Sequence, residues 1–247
     1  KKLMDSMRSK DKEYTYSVAW IDSLHKRMRG VLTCGDHAKI QDLDNGEKNL
    51  LSYNSKTLVS APRFLPDRLL NKFTVKAFNE LWFRKSSVLE KNIQTIAQFF
   101  YPLDAINNWN RIYGPQGFLQ YQFVVPDDKT YFIEKTLDTL KRSSTNTFLT
   151  VLKRFGKRND AFLSFPQPGW TLAVDLPGNN FALLPLLEEL DIELASIGGK
   201  IYLAKDSRQN PAIFKKTYLF YEKWRCIKQE MDPDNLFQSD LSKRLKI

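Results

Sequence analysis

From Phe118 to Val125 the side chains alternate as they do in a strand. Leu119, Tyr121, Phe123 and Val125 fall on one side, and Phe118, Gln120, Gln122 and Val124 on the other, because successive strand residues point to opposite faces. The first set is an ordinary core face. The second puts two amides side by side in mid-strand, which suits a polar ligand better than a core. Two more runs repeat the pattern. In 147–153, Lys153 lines up with Val151 and Leu149; in 170–176, Asp175 lines up with Ala173 and Thr171, while Trp170, Leu172, Val174 and Leu176 take the apolar side. Periodicity alone leaves two readings open: a ligand-holding face, or a sheet with one face on helices and one in water.

The connections between these runs predict the topology. Pro126 ends the first strand, and Asp127 or Asp128 is expected to cap a helix whose Ile133, Leu137 and Leu140 recur at i, i+4 and i+7. Pro166, Pro168 and Gly169 lead into the strand at 170–176. Pro185 suits the first turn of a helix that stops at Gly198-Gly199, before a short strand at 200–204. The series is β-α-β-β-α-β over about 118–204, a ferredoxin-like split βαβ unit in an α+β fold, with an antiparallel sheet and helices on one face. That order makes the Gln120 strand central, beside those of Asp175 and Tyr202. Gln120, Gln122, Asp175 and Tyr202 then converge on the helix-free face, with Lys153 on the outer strand.

Before this unit the chain predicts the tail of a helix at 1–12, strands at 14–24, 30–34 and 80–85, and loop structure over 41–70, broken by Asn45-Gly46, Pro62 and Pro66. A second, incomplete unit of the same kind is expected there. Past Ala204, Asn210-Pro211 opens a long amphipathic helix with Phe214, Tyr218, Tyr221 and Trp224 on one side, ended by Asp232-Pro233.

Composition narrows the chemistry. Hydrophobic residues make up 42% of the 247, enough for a proper core. Two cysteines and two histidines, none at metal-ligand spacing, argue against a metal site and a disulfide framework. The net charge of +10, with clusters at Lys141-Arg142, Lys153-Arg154, Lys157-Arg158 and Lys243-Arg244-Lys246, favours anions, whether phosphates, nucleic acid or an acidic membrane surface. A ferredoxin-like sheet can bind RNA, but the RNP1 pattern is absent, so nucleic acid is not the expected partner.

Several motifs in one order resemble the FAD-linked oxidases of the vanillyl-alcohol-oxidase superfamily. They are Tyr16-Ser-Val-Ala-Trp20, Glu80-Leu-Trp-Phe-Arg-Lys85, Trp109-Asn-Arg-Ile-Tyr-Gly114, Gly117–Pro126, Leu163-Ser-Phe-Pro-Gln-Pro-Gly-Trp170, Tyr202–Arg208 and Asp232–Asp240. Within that family the likeness points to members acting on polyprenyl-phosphate-linked pentoses in a 2′-epimerisation. Aldonolactone or alditol oxidation is the neighbouring alternative, and a non-catalytic basic binding module the alternative of another class. The resemblance implies a substrate-binding (cap) domain over 1–204 and a segment, 205–247, that returns to an FAD-binding domain. The N-terminal part of that domain, with its glycine-rich diphosphate loop, has no counterpart in this sequence.

By the same resemblance, Lys205 and Tyr202 lie at the flavin and act in catalysis. Gln120, Gln122, Lys153, Phe155 and Thr171 bind substrate, and Trp20, Phe100 and Leu103 form its apolar wall. Where mycobacterial members have cysteine and asparagine in the pocket, this chain has Ala173 and Thr171. The bland alternative for Lys205 is an ion pair with its neighbour Asp206. The implied cofactor is FAD, held mainly by the domain this sequence lacks. The implied partners are a sugar or lipid-phosphate-sugar substrate and an NAD(P)-dependent reductase, with a cytoplasmic or peripheral-membrane location.

Overall fold

The computed structural model describes residues 2–43, 53, 57–63, 69–88, 91–143, 145, 147–178 and 180–247. Asn45-Gly46 and Pro66, expected loop breakers, lie outside these residues. The chain divides into two compact units, one of residues 1–17 and 30–117, the other of 18–29 and 118–247. Among the described residues no helix is long and apolar enough to cross a membrane.

The strands are β1 (Tyr16–Asp22), β2 (Arg29–Gly35), β3 (Val59–Ser60), β4 (Ile106–Asn107), β5 (Phe118–Val125), β6 (Thr150–Phe155), β7 (Gly169–Pro177) and β8 (Lys200–Ile201). The helices are α1 (Lys2–Lys10), α2 (Lys72–Val88), α3 (Ile96–Phe100), α4 (Tyr131–Arg142), α5 (Leu183–Ser196), α6 (Pro211–Thr217), α7 (Tyr221–Met231) and α8 (Asp240–Leu245).

In the second unit the strands run in the order β1-β6-β7-β5-β8, with every described pairing antiparallel. Leaving β1 aside, this is the order expected of the split βαβ unit, with β5 central. The apolar strand faces meet the helices. Tyr121, Phe123, Leu152, Trp170, Leu172, Val174 and Leu176 are buried, together with Phe132, Ile133, Leu137 and Leu140 of α4 and Leu183, Leu187, Leu190 and Leu194 of α5. Edge-to-face packing of Phe123 on Phe132, with centroids 5.1 Å apart, joins β5 to α4. Two glycines let backbone segments close up. A Cβ on Gly169, at φ +143°, would lie 2.0 Å from the Val125 carbonyl oxygen. One on Gly199 would lie 2.3 Å from Leu194 Cδ1 and 2.7 Å from the Val124 carbonyl oxygen.

A buried polar cluster ties this core to the segment after β8. Tyr121 donates its hydroxyl to Asp191 of α5 at 2.9 Å, and Arg208 grips the same carboxylate with two bonds of 2.7 and 3.0 Å. Burial is the largest influence on Asp191, raising its pKa against the pull of Arg208 and Tyr121. The next helices build a satellite core of Phe214, Tyr218, Tyr221 and Leu245.

The first unit holds α1, with Met4 and Met7 buried, and the short parallel pair β3–β4. Arg111 reaches the Ala61 carbonyl at 3.0 Å. Thr95 and Gln98 form a capping box at the start of α3.

Three local expectations are corrected. Residues 80–85 are not a strand but the middle of α2, which begins where Asn71 accepts from the amides of Phe73 and Thr74. The aromatic run Leu81-Trp82-Phe83 suggested a strand, but that capping side chain and the helix formers around it prevail. Neither Asp127 nor Asp128 caps α4: Asp127 is taken by a two-bond pair with Arg154 and Asp128 by Lys129. The single long helix after Pro211 is broken between α6 and α7. Thr217 bonds back to the Ile213 and Phe214 carbonyls, and Tyr218 turns inward to donate to the Ile201 carbonyl at 2.6 Å.

Removing one partner of a buried ion pair strands the other, whereas replacing the whole set by apolar groups need not. Arg208→Met is therefore expected to lower unfolding stability by about 3 kcal/mol. Adding Asp191→Leu and Tyr121→Phe to the same chain should recover most of that loss, as read by urea denaturation.

Candidate functional site

The helix-free face of the sheet is ruled into rows by register. Opposed residues in antiparallel strands share a face, so Trp20, Val151, Ala173 and Gln122 form one row. It ends at Tyr202, whose backbone amide donates to the Gln122 carbonyl at 2.9 Å. Lys153, Thr171, Val124 and Lys200 form the next, and Gln120 lies opposite Asp175. Five of the expected site residues (Gln120, Gln122, Lys153, Thr171 and Trp20) thus stand on one surface through strand alternation alone.

This surface is not the hydrated face of the bland reading. Gln122 is 8% exposed, and Thr171 and Asp175 are each 1% exposed. The amides are held in fixed orientations: Gln120 donates to Asp175, and Gln122 donates to the Thr171 hydroxyl at 3.1 Å. The other amide atom of Gln122, Oε1, is buried and without a hydrogen-bond partner. A buried acceptor left so costs about 1–3 kcal/mol, which a ligand donor would recover.

An aromatic series borders the wall. Phe155 packs edge-on against Phe165 at 5.7 Å, and Phe165 stacks on Tyr202 at 4.6 Å. Phe165 lies inside one of the quoted motifs, yet its sequence gave no reason to single it out. Tyr202 leads into a turn of 3₁₀ helix, Leu203–Lys205, in which the Lys205 amide donates to the Tyr202 carbonyl.

Lys205 is not paired with Asp206 as the bland alternative supposed. Asp206 instead accepts from Arg244 at 2.8 Å and from the amides of Arg208 and Gln209. Arg244 also reaches the Asp206 and Gln209 carbonyls. Arg208 and Arg244 therefore clamp the segment that carries Lys205. Partial desolvation lowers the Lys205 pKa below the ordinary lysine value; Lys153 pushes it further down and Asp175 opposes both. The lysine is thus within electrostatic range of the polar wall. Phe100 and Leu103 belong to the first unit, where Phe100 packs edge-on against Tyr16 at 4.9 Å and both remain part exposed.

The clamp was missed in the sequence, although part of its signal was present. Asp191 interrupts the apolar stripe Leu187, Leu190, Leu194 on α5, and a carboxylate on such a stripe must find a buried cation or donor. Nothing local marked Arg208 or Arg244 as its distant complements.

Comparison with known proteins agrees with the motifs. The chain is 40% identical over 238 residues to decaprenylphosphoryl-beta-D-ribose oxidase of Mycolicibacterium smegmatis, a match covering 95% of this chain and 52% of the other. It is 27% identical over 254 residues to a Streptomyces coelicolor protein described as uncharacterized in the mprA 5′ region, covering 98% of this chain and 69% of that one. No family model matches. The chain spans about half the length of the oxidase. Its similarity to that oxidase bears out the likeness read from the motifs.

If Lys205 faces this wall, its titration responds to its neighbours with opposite signs. Lys153→Met removes a repelling charge and should raise the Lys205 midpoint; Asp175→Asn removes an attracting one and should lower it further. Methyl-labelled lysine NMR across alkaline pH reads both shifts, and a Lys205 signal indifferent to both would place it elsewhere.

Proposed function

We propose that this chain provides the substrate-facing part of an FAD-dependent oxidoreductase that oxidises a secondary alcohol of a sugar. The sugar we propose is a pentose linked to a polyprenyl phosphate. The observation that carries the reading is the buried polar wall, with its unpartnered Gln122 Oε1, bordered by Tyr202 and the depressed-pKa Lys205. Similarity to an oxidase of a phosphoryl-linked ribose supports the same substrate class.

The residues fit a flavin ring better than a whole dinucleotide. A cation at Lys205 and the aromatic face of Tyr202 suit the ring edge, whereas the sequence has no glycine-rich loop to grip a diphosphate. FAD, when bound, supplies the hydride acceptor. The remaining tasks fall to this chain. Gln120 and Gln122 orient sugar hydroxyls through paired donor and acceptor atoms. Thr171 takes the Gln122 amide nitrogen, which leaves Oε1 to accept from the ligand. Lys205 stabilises the negative charge that develops on the reacting oxygen as its proton leaves. Lys153, an exposed residue of β6, adds positive charge toward an anionic substrate. Trp20 and Phe155 supply apolar surface to the sugar and its lipid. An NAD(P)-dependent reductase acting on the ketone product would complete an epimerisation.

The test uses the complete gene product. It should purify with bound FAD, and the flavin should bleach anaerobically on addition of a polyprenylphosphoryl pentose. Lys205→Met should retain the flavin spectrum while kcat falls by about 10²–10³, the usual cost of losing an oxyanion-stabilising group. A colourless protein that takes up no FAD refutes the reading.

A further inference from the structure

The second unit contains a separate basic cavity of about 270 Å³ beside β8 and the end of α5. Arg158, Ser164, Lys200 and Lys216 line it, with Phe162 and Leu219 adding apolar surface, and no carboxylate is among its described lining residues. Lys200 is 6% exposed. Its ammonium donates to the Ser164 carbonyl at 2.7 Å and lies 5.5 Å from the centre of the Tyr218 ring. An ammonium has three donors, and one carbonyl with a ring face leaves capacity for a charged acceptor. The Ser164 hydroxyl is buried without a hydrogen-bond partner. Arg158 lies over Phe220, its guanidinium carbon 4.3 Å from the ring centre, a contact that takes up a ring face but no hydrogen-bond acceptor. The Gly198 carbonyl, just past the end of α5, accepts from Gln167 at 3.0 Å.

We propose that this cavity binds a phosphate group, with Lys200 and the Ser164 hydroxyl as its inner donors and Arg158 and Lys216 as its outer cations. Burying an uncompensated cation is costly, and the usual remedy is a paired anion. Lys200 shows that cost: burial, with a further push from Arg158, brings its pKa down to about 8. A bound phosphate would relieve it and occupy the spare Ser164 hydroxyl. Lys200 shares a strand row with Thr171, so the cavity adjoins the Gln122 wall, but none of its lining residues is assigned to substrate or flavin and the proposal does not depend on the oxidase reading. The same chemistry serves free phosphate and the head of a lipid monophosphate, the latter laying its chain across Phe162 and Leu219.

Isothermal titration calorimetry of the chain at low ionic strength, with inorganic phosphate and with a short alkyl monophosphate, tests this. Saturable binding of either is expected, and tighter binding of the alkyl form marks the lipid source while equal binding marks the free anion. Lys200→Met should weaken binding about tenfold or more, and Arg158→Gln somewhat less, as expected of charge-assisted hydrogen bonds. If circular dichroism shows Lys200→Met unfolded, Arg158→Gln and Ser164→Ala decide. Non-saturable heats, or binding abolished by Lys153→Met but untouched by the cavity variants, would overturn the assignment.

Discussion

One carboxylate on an apolar helix stripe constrains much of the second unit. Asp191 is 1% exposed, and a carboxylate so placed needs donors in fixed positions. Tyr121 from the central strand supplies one, and Arg208, beyond the last strand, supplies two. The chain after β8 must therefore fold back over α5. Once Arg208 is fixed, Asp206 is positioned to receive Arg244 from near the C-terminus. Lys205 lies between Tyr202 and this clamp, next to Asp206. The fixed course of the segment that carries it thus follows from satisfying a buried charge some distance away.

The wall itself is a second use of buried polarity. Most buried polar atoms in proteins are paired, and Gln120, Thr171 and the Gln122 amide nitrogen follow that rule. Gln122 Oε1 departs from it, as does the Ser164 hydroxyl in the basic cavity. The Ser164 hydroxyl belongs to the residue whose carbonyl accepts from Lys200, a lysine whose pKa burial brings down to about 8. Sites kept partly unsatisfied in this way lose some stability and gain affinity for a ligand that completes them.

The sheet was legible because its signals are local and periodic. Alternation in Phe118–Val125 and Trp170–Leu176 gave both faces, and the chain order of strands and helices gave β5 its central place. Register then brought Gln120, Gln122, Thr171, Lys153 and Trp20 onto one surface without further information. What was not legible depended on pairing between distant residues. Asp127 had the composition of a helix cap, but Arg154, 27 positions on, held it instead. Leu81-Trp82-Phe83 had strand composition, but the decisive signal was the Asn71 side chain ten residues earlier. The Asp206–Arg244 contact, spanning 38 positions, had no periodic trace at all.

Native-state amide hydrogen exchange is the most direct measure of whether the clamp holds the lysine segment in place. The amides of Arg208 and Gln209, both donated to the Asp206 carboxylate, should exchange nearly as slowly as those of β5. In Arg244→Gln, amides 205–209 should become fast while β5 keeps its protection. Rapid exchange of these amides in the unaltered chain would contradict the account, because the segment that carries Lys205 would then have no fixed place.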